Sequence, residues 1–418
     1  MVEKRKPIPV RDAIEAIMTR VKPLRAETVS LEESYGRILA EPIIATEDVP
    51  AFTRSPYDGF AIRAEDSEGA SGEYRKQFTV IDHIGAGEVC RKPLAKGEAV
   101  RIMTGAPLPD DANAVVMLEQ TVESGNTFTV RKAFHANENV SMRGEEAKKG
   151  EVLLDAGHFI HPGVIALLAT FGYDRVKVSA KPLVGILATG SELVDVSQPL
   201  EPGKIRNSNG PMIAAQLKRI GVESRSYGMK EDDLEACLQI VKTALEEADC
   251  LITTGGVSVG DFDYLPEIYK RLGAEVLFNK VAMRPGSVTT VTHADGKLLF
   301  GLSGNPSACF SGFELFARPA LLKMMGSRKP FLPYAKAVLA EDFTKANPFT
   351  RFVRAVYQET PEGAKVAPAG FNKSSAVSSI AKGNAMIVLP GGTRGFQAGD
   401  EVDVLLLGLD EGAENWMI

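Results

Sequence analysis

Apolar residues first recur at helical spacing over residues 10–21, where Ala13, Ile14, Ile17, Met18 and Val21 fall on one face. A second short helical pattern runs from Leu31 to Ala40. The rhythm then changes. Between about 42 and 155, short runs such as FTVID, AVVML, TFTVRK and EVLLD are broken by Gly and Pro, which predicts a small β-rich unit. Residues 161–172 return to a helical pattern, with Pro162 suited to a first turn and Gly172 to a stop. The β unit therefore reads as an insertion between helices that belong together.

From about residue 178 strands and helices alternate. VKVSA, PLVGILAT, CLITT and LLFGL read as strands, and Ser208–Ile220, Leu234–Ala248, Tyr264–Leu272 and Pro306–Met325 as helices. Such alternation predicts a parallel or mostly parallel sheet with helices on both faces, a doubly wound α/β domain. Residues 326–333 (GSRKPFLP) read as a linker, and 334–408 hold only strand patterns, as in a small β-barrel or sandwich. The expected organisation is multidomain α/β plus β. It comprises a helical region, 1–41 with 147–177; an inserted β-rich domain, 42–146; the α/β domain, 178–328; and a C-terminal small β-barrel, 333–410.

Composition narrows the function classes. A chain of 418 residues, 44% hydrophobic and 24% charged, has material for several ordinary globular cores. Its net charge of −6 argues against a nucleic-acid or anionic-membrane partner, though not against a local basic pocket for a small anion. The 4 cysteines form no CxxC, which fits free thiols in a reducing compartment. The 5 histidines are scattered and match no zinc-protease helix. The basic N-terminus lacks the apolar run of a signal peptide, and no stretch nears the ~18 apolar residues of a membrane span. The cytoplasm is the expected compartment.

The α/β region carries glycine-rich turns, each at the carboxyl end of a predicted strand. They are Thr189-Gly190-Ser191-Glu192, the run from Thr254-Gly255-Gly256 through Ser258 and Asp261 to Asp263, and Gly301-Leu302-Ser303-Gly304-Asn305-Pro306. Loops at that sheet edge form the ligand crevice of doubly wound folds. Glycine lets backbone N–H groups approach a phosphate, and a helix starting at Pro306 offers its positive end to the same anion. No Walker A lysine motif or GxGxxG is present, so neither an ordinary P-loop NTPase nor a dinucleotide dehydrogenase fits. Glu192 and Asp263 lie within a few residues of the glycines and are candidates for a Mg²⁺ or acid–base role. Asp233, in a loop before a helix, reads as an ordinary solvated cap.

These motifs resemble the molybdopterin molybdenumtransferase family, which includes MoeA and the gephyrin E domain. SPYDGFAI (55–62), IMTGAPLP (102–109) and RGEE (143–146) resemble its N-terminal part. GILATGSEL, GGVSVGDFDY, KVAMRPG and GLSGNPSA resemble its central molybdopterin-binding domain, and NAMIVLP (384–390) its C-terminal β unit. The resemblance spans almost the whole chain in the family's domain order. It implies an elongated homodimer with a helical dimerisation region. One subunit's central domain would bind adenylylated molybdopterin, and the partner's β unit would close the site. Molybdate enters, the pyrophosphate link is cleaved with Mg²⁺ present, and molybdenum cofactor and AMP leave.

Carried over by resemblance, Asp58, Glu192, Asp232 and Asp263 are catalytic candidates, and Glu192 with Asp263 would hold Mg²⁺. Thr104, Gly190, Ser191, Gly255, Gly256, Ser258, Asp261, Gly304, Asn305 and Pro306 would contact the adenylylated pterin. Lys280 and Arg284 are the cations of KVAMRPG, and with Arg354 and Ser374 they are the candidate receptor for the molybdate dianion. Ser287 stands where the family usually carries a lysine, so this receptor has one cation fewer. The molybdopterin adenylyltransferase of the preceding step and recipient molybdoenzymes are further candidate partners. Adenylylation itself, or a gephyrin-like scaffold, are the alternatives. The N-terminal extension and C-terminal β unit disfavour the first, and the expected lack of a disordered linker or extra trimerising domain the second. A pyrophosphatase of the competence-damage family shares the TGSEL turn but does not account for PYDGFA or MTGAP.

Overall fold

The central strands are hydrophobic at successive positions because both of their faces are buried. The computed structural model describes residues 6–230, 233–256 and 264–408. Six strands form the central sheet, in the order Glu223–Lys230, Leu183–Thr189, Cys250–Thr254, Lys297–Leu302, Thr290–Ala294, Glu275–Phe278. The first four are mutually parallel; Thr290–Ala294 runs against them, and Glu275–Phe278 is antiparallel to it in turn. Register sets Ile186, Ile252 and Phe300 side by side, facing the helix Asn209–Arg219 and the helical run from Pro306. Leu251 and Leu299 point the other way, with Leu187, into the helices Leu234–Glu247 and Leu265–Arg271. Each such side chain contributes roughly 1.5–3 kcal/mol on burial. The fold is the doubly wound α/β arrangement that the alternation predicts, with an antiparallel hairpin added at one edge. Asp295 (φ +49) and Gly296 (φ +80) turn that hairpin, in a primed geometry for which Asp-Gly is the favoured pair.

Contacts divide the chain into two compact units. The first holds residues 1–40, 157–161 and 176–418, and the second 41–156 and 162–175. The segments read from sequence as one helical region are thus distributed: the helix Val10–Arg20 belongs to the first unit and Pro162–Thr170 to the second. The apolar face of Val10–Arg20 is covered within its own unit, where Ala13 and Ile17 join the core beneath the central sheet. Leu31–Ala40 is not the helix its pattern suggests. A single turn at Glu32–Ser34 ends where Gly36 takes φ +74, and the chain continues as bridges from Ile38 to Phe159 and Leu39 to Val178.

In the first unit the chain also closes a β-barrel from Thr350–Thr360, Gly363–Pro368, Tyr334–Leu339, Glu401–Leu406 and Ala385–Leu389, the last pairing back onto the first. The short strand Met283–Arg284 adds in parallel to Thr350–Thr360 and ties the barrel to the central domain. The predicted helix over 306–325 is continuous but changes pitch. Phe313–Ala317 is a π turn between α-helical segments, and its Glu314 is buried against Gln216 and Arg219. The second unit is built on a six-stranded sheet whose core stacks Phe60, Phe78 and Phe128. Among the described residues no helix is long and apolar enough to cross a membrane.

Candidate functional site

The glycine turns meet at the carboxyl edge of the central sheet, and the contacts there leave no room for side chains. Gly255 has φ +86, and a Cβ on it would lie 2.3 Å from the Thr189 carbonyl oxygen. Gly256 has φ +63, and its Cβ would lie 2.8 Å from Thr189 Oγ1. A Cβ on Gly304 would lie 3.6 Å from Gly255 Cα, so the last turn touches the second. Asn209 fastens the two: its Nδ2 donates to Thr254 Oγ1 at 2.7 Å and to the Gly304 carbonyl at 2.9 Å. Glu192 folds back over its own turn, with a carboxylate oxygen 2.5 Å from where a Gly190 Cβ would stand, and it stays exposed. Ser191 is exposed beside it, its carbonyl accepting from Lys204 Nζ at 2.7 Å. Pro306 opens the helix that follows Asn305, where its missing N–H costs nothing.

Next to these turns a cleft of about 470 Å³ opens between the central domain and the barrel. Asn305 and the Arg284-Pro285-Gly286-Ser287 loop line one wall; Arg351, Arg354 and Ser374 line the other. Lys345 and Lys373 complete the cations, and no Asp or Glu is among the described lining residues. Arg354 is almost wholly buried. Its Nε donates to Ser379 Oγ and its Nη2 to the Lys373 carbonyl, both at 3.2 Å. Burial, with Arg351 nearby, lowers its pKa to about 10. Burial first, and then the neighbouring Arg284, also lowers that of Arg351. A cleft that holds cations at such a cost is built for an anion. Ser374 is carried here by the packing of its loop, whose carbonyl accepts from Ser307 N–H at 3.0 Å.

The structure gathers Arg284, Arg354, Ser374 and Asn305 at one cleft, with Gly255, Gly256 and Gly304 in contact beside it. Lys280 is not among the residues that line it. The stretch containing Lys280 is extended rather than helical, bridging Ile8 through the Lys280 and Ala282 backbone. The chain bends at Ala282, where the Met283 N–H donates to the Val281 carbonyl at 2.8 Å, and only Arg284 of the two cations lines the cleft. Sequence reasoning passed over Arg351, Lys345 and Lys373; the signal available was the basic strand TRFVRAV, from which only Arg354 was taken. Asp232, Ser258, Asp261 and Asp263 lie outside the described residues. Asp233 caps Leu234–Glu247, accepting from Ala236 N–H at 2.8 Å, as its position suggests.

Asp58 and Thr104 are brought together in the second unit. One Asp58 carboxylate oxygen accepts from the Thr104 N–H at 2.7 Å and from its hydroxyl at 2.8 Å. Those two bonds, backbone first, hold the Asp58 pKa below its ordinary value. The clasp joins the PYDG and MTGAP turns.

The chain matches the MoeA N-terminal region (domain I and II) over residues 8–172, a probable molybdopterin binding domain over 185–323, and the MoeA C-terminal region (domain IV) over 336–407. It is 60% identical to the molybdopterin molybdenumtransferase of Staphylococcus aureus Mu50 over 418 residues, 100% of both chains. It is also 60% identical over 405 residues, 97% of both, to that of Staphylococcus epidermidis RP62A. The crystal structure of the molybdopterin biosynthesis moeA protein from Pyrococcus horikoshii OT3 superposes with a TM-score of 0.84 at 31% identity, covering 96% of this chain and 100% of that one. With such identity along its whole length, the chain belongs to the molybdopterin molybdenumtransferase family.

Proposed function

We propose that this chain inserts molybdate into adenylylated molybdopterin, releasing AMP and giving molybdenum cofactor. The observation that carries the reading is the cationic cleft, with no carboxylate among its described lining residues, opening beside the packed glycine turns. Phosphates of the nucleotide would rest on backbone N–H groups of the turns, where the absence of side chains permits close approach. The molybdate dianion would be held in the cleft by Arg284, Arg354 and the Ser374 hydroxyl, within reach of the pterin end of the same substrate. Asn209 keeps two of the turns at a fixed separation, so the link between the phosphates is presented in one orientation.

Glu192 fits Mg²⁺ as an exposed, hard oxygen donor folded over the Gly190 turn, and Asp263 would be its second carboxylate. When bound, the ion would neutralise charge on the pyrophosphate link. We further propose that the protein is a cytoplasmic homodimer in which the Asp58–Thr104 clasp of one subunit serves the site of its partner. Molybdate-dependent AMP release, followed by mass spectrometry, tests the reaction; ATP consumption in its place would favour adenylylation. Asp263→Asn should lose about 10²-fold in that rate while remaining folded. Retention of more than about a tenth of the wild-type rate would remove Asp263 from the mechanism. Light scattering tests the dimer, and a stable monomer at micromolar concentration would exclude a shared site.

A further inference from the structure

Arg284 and Arg351 are register partners where Met283–Arg284 adds in parallel to Thr350–Thr360, and both line the cleft. Arg351 is held from behind. Its Nε donates to Oδ1 of the buried Asn347 at 2.7 Å, and its guanidinium lies 5.6 Å from the centre of the Phe343 ring. These contacts use one N–H and one face, and leave its Nη groups without a protein acceptor among the described residues. Two guanidinium groups so close, with no carboxylate between them among the described residues, repel each other more strongly the less water they share. Asn347 and Phe343 fix one of them in place despite that repulsion.

We infer that Arg351 and Arg284 form a two-guanidinium clamp for a tetrahedral dianion, and that Arg351 sets the preference for a dianion over a monoanion of the same shape. The inference rests on reading the cleft as the molybdate receptor. A dianion cancels the charge of both arms, whereas a monoanion leaves one arm uncompensated. Planar guanidinium forks also suit oxyanions better than an ammonium does. The clamp gives Ser287 a context: a lysine there would add charge to a wall already faced by Arg351.

The test is calorimetric titration of the full chain with molybdate and, separately, with perchlorate, a tetrahedral monoanion. Wild type should bind molybdate far more tightly than perchlorate. Arg351→Gln should weaken molybdate at least tenfold, as loss of a charge-assisted contact implies, while changing perchlorate by much less. Arg351→Lys should keep most of the preference. Melting curves report whether each variant folds; should Arg351→Gln fail to fold, Arg351→Met is read in its place, and a preference unchanged there overturns the clamp. Molybdate affinity within twofold of wild type in Arg351→Gln, alongside a clear loss in Arg284→Gln and Arg354→Gln, overturns the clamp but leaves the receptor standing. No molybdate binding by wild type overturns both.

Discussion

The two neighbouring parts of the candidate site are built on opposite principles. The glycine cluster works by exclusion: Gly255 and Gly256 lie so close to Thr189 that any side chain would displace the strand end. The arginine cleft is charged and roomy, and it keeps Arg354 buried without a carboxylate partner among the described residues. The first region constrains shape. The second tolerates shape changes and depends on charge. A substrate with a tethered pyrophosphate suits the former, and a free dianion requires the latter.

That contrast can be broken most severely from the glycine side. Gly255→Ala combines positive-φ strain with a 2.3 Å clash against backbone. It should cost about 3 kcal/mol or more in urea unfolding. Gly72→Ala, which meets nothing within 4 Å, should stay within about 0.5 kcal/mol. Comparable losses in both would show that the cluster is not specially tight.

On the charged side, Arg354→Gln should raise the molybdate concentration for half-maximal AMP release by about ten- to a hundredfold, with high molybdate restoring turnover. Because the folded pKa of Arg354 is pushed down to about 10, its burial lowers stability at all pH below that value, and the penalty fades as pH rises through about 10. A bound dianion should offset it, so molybdate should raise the melting temperature at pH 7–8, and by less in Arg354→Gln. An equal rise in both proteins would separate Arg354 from the oxyanion.

The smallest effect is expected at the clasp in the second unit. Asp58→Ala should lower stability above pH 3.8, where the carboxylate is charged in both states. The difference from wild type should vanish as pH falls through the depressed folded value. A gap that persists in strong acid would mean the clasp does not depend on charge.

Much of this was legible beforehand, for reasons visible at particular residues. Asn209–Arg219 and Leu234–Glu247 are amphipathic helices whose apolar stripes survive into their cores, and the β-branched central strands declare burial on two faces. Leu31–Ala40 misled because apolar spacing cannot register that Gly36 turns left-handed there. Arg284 was legible as a cation of KVAMRPG, whereas Arg351, which shares its cleft, was not, because the two meet only through the pairing of Met283–Arg284 with Thr350–Thr360.

By itself the sequence determined the elements, the turns and the family, because hydrophobic period, Gly and Pro act locally and each motif is contiguous. It also marked Gly255, Gly304 and Arg284, whose types already imply close approach or charge. Only the tertiary structure decided that Arg351 faces Arg284, that Asn209 spans two turns, and that Arg354 is buried at the cleft. Those relations join residues tens of positions apart, through strand register and domain packing. Charge becomes costly or useful only once packing has removed the water around it.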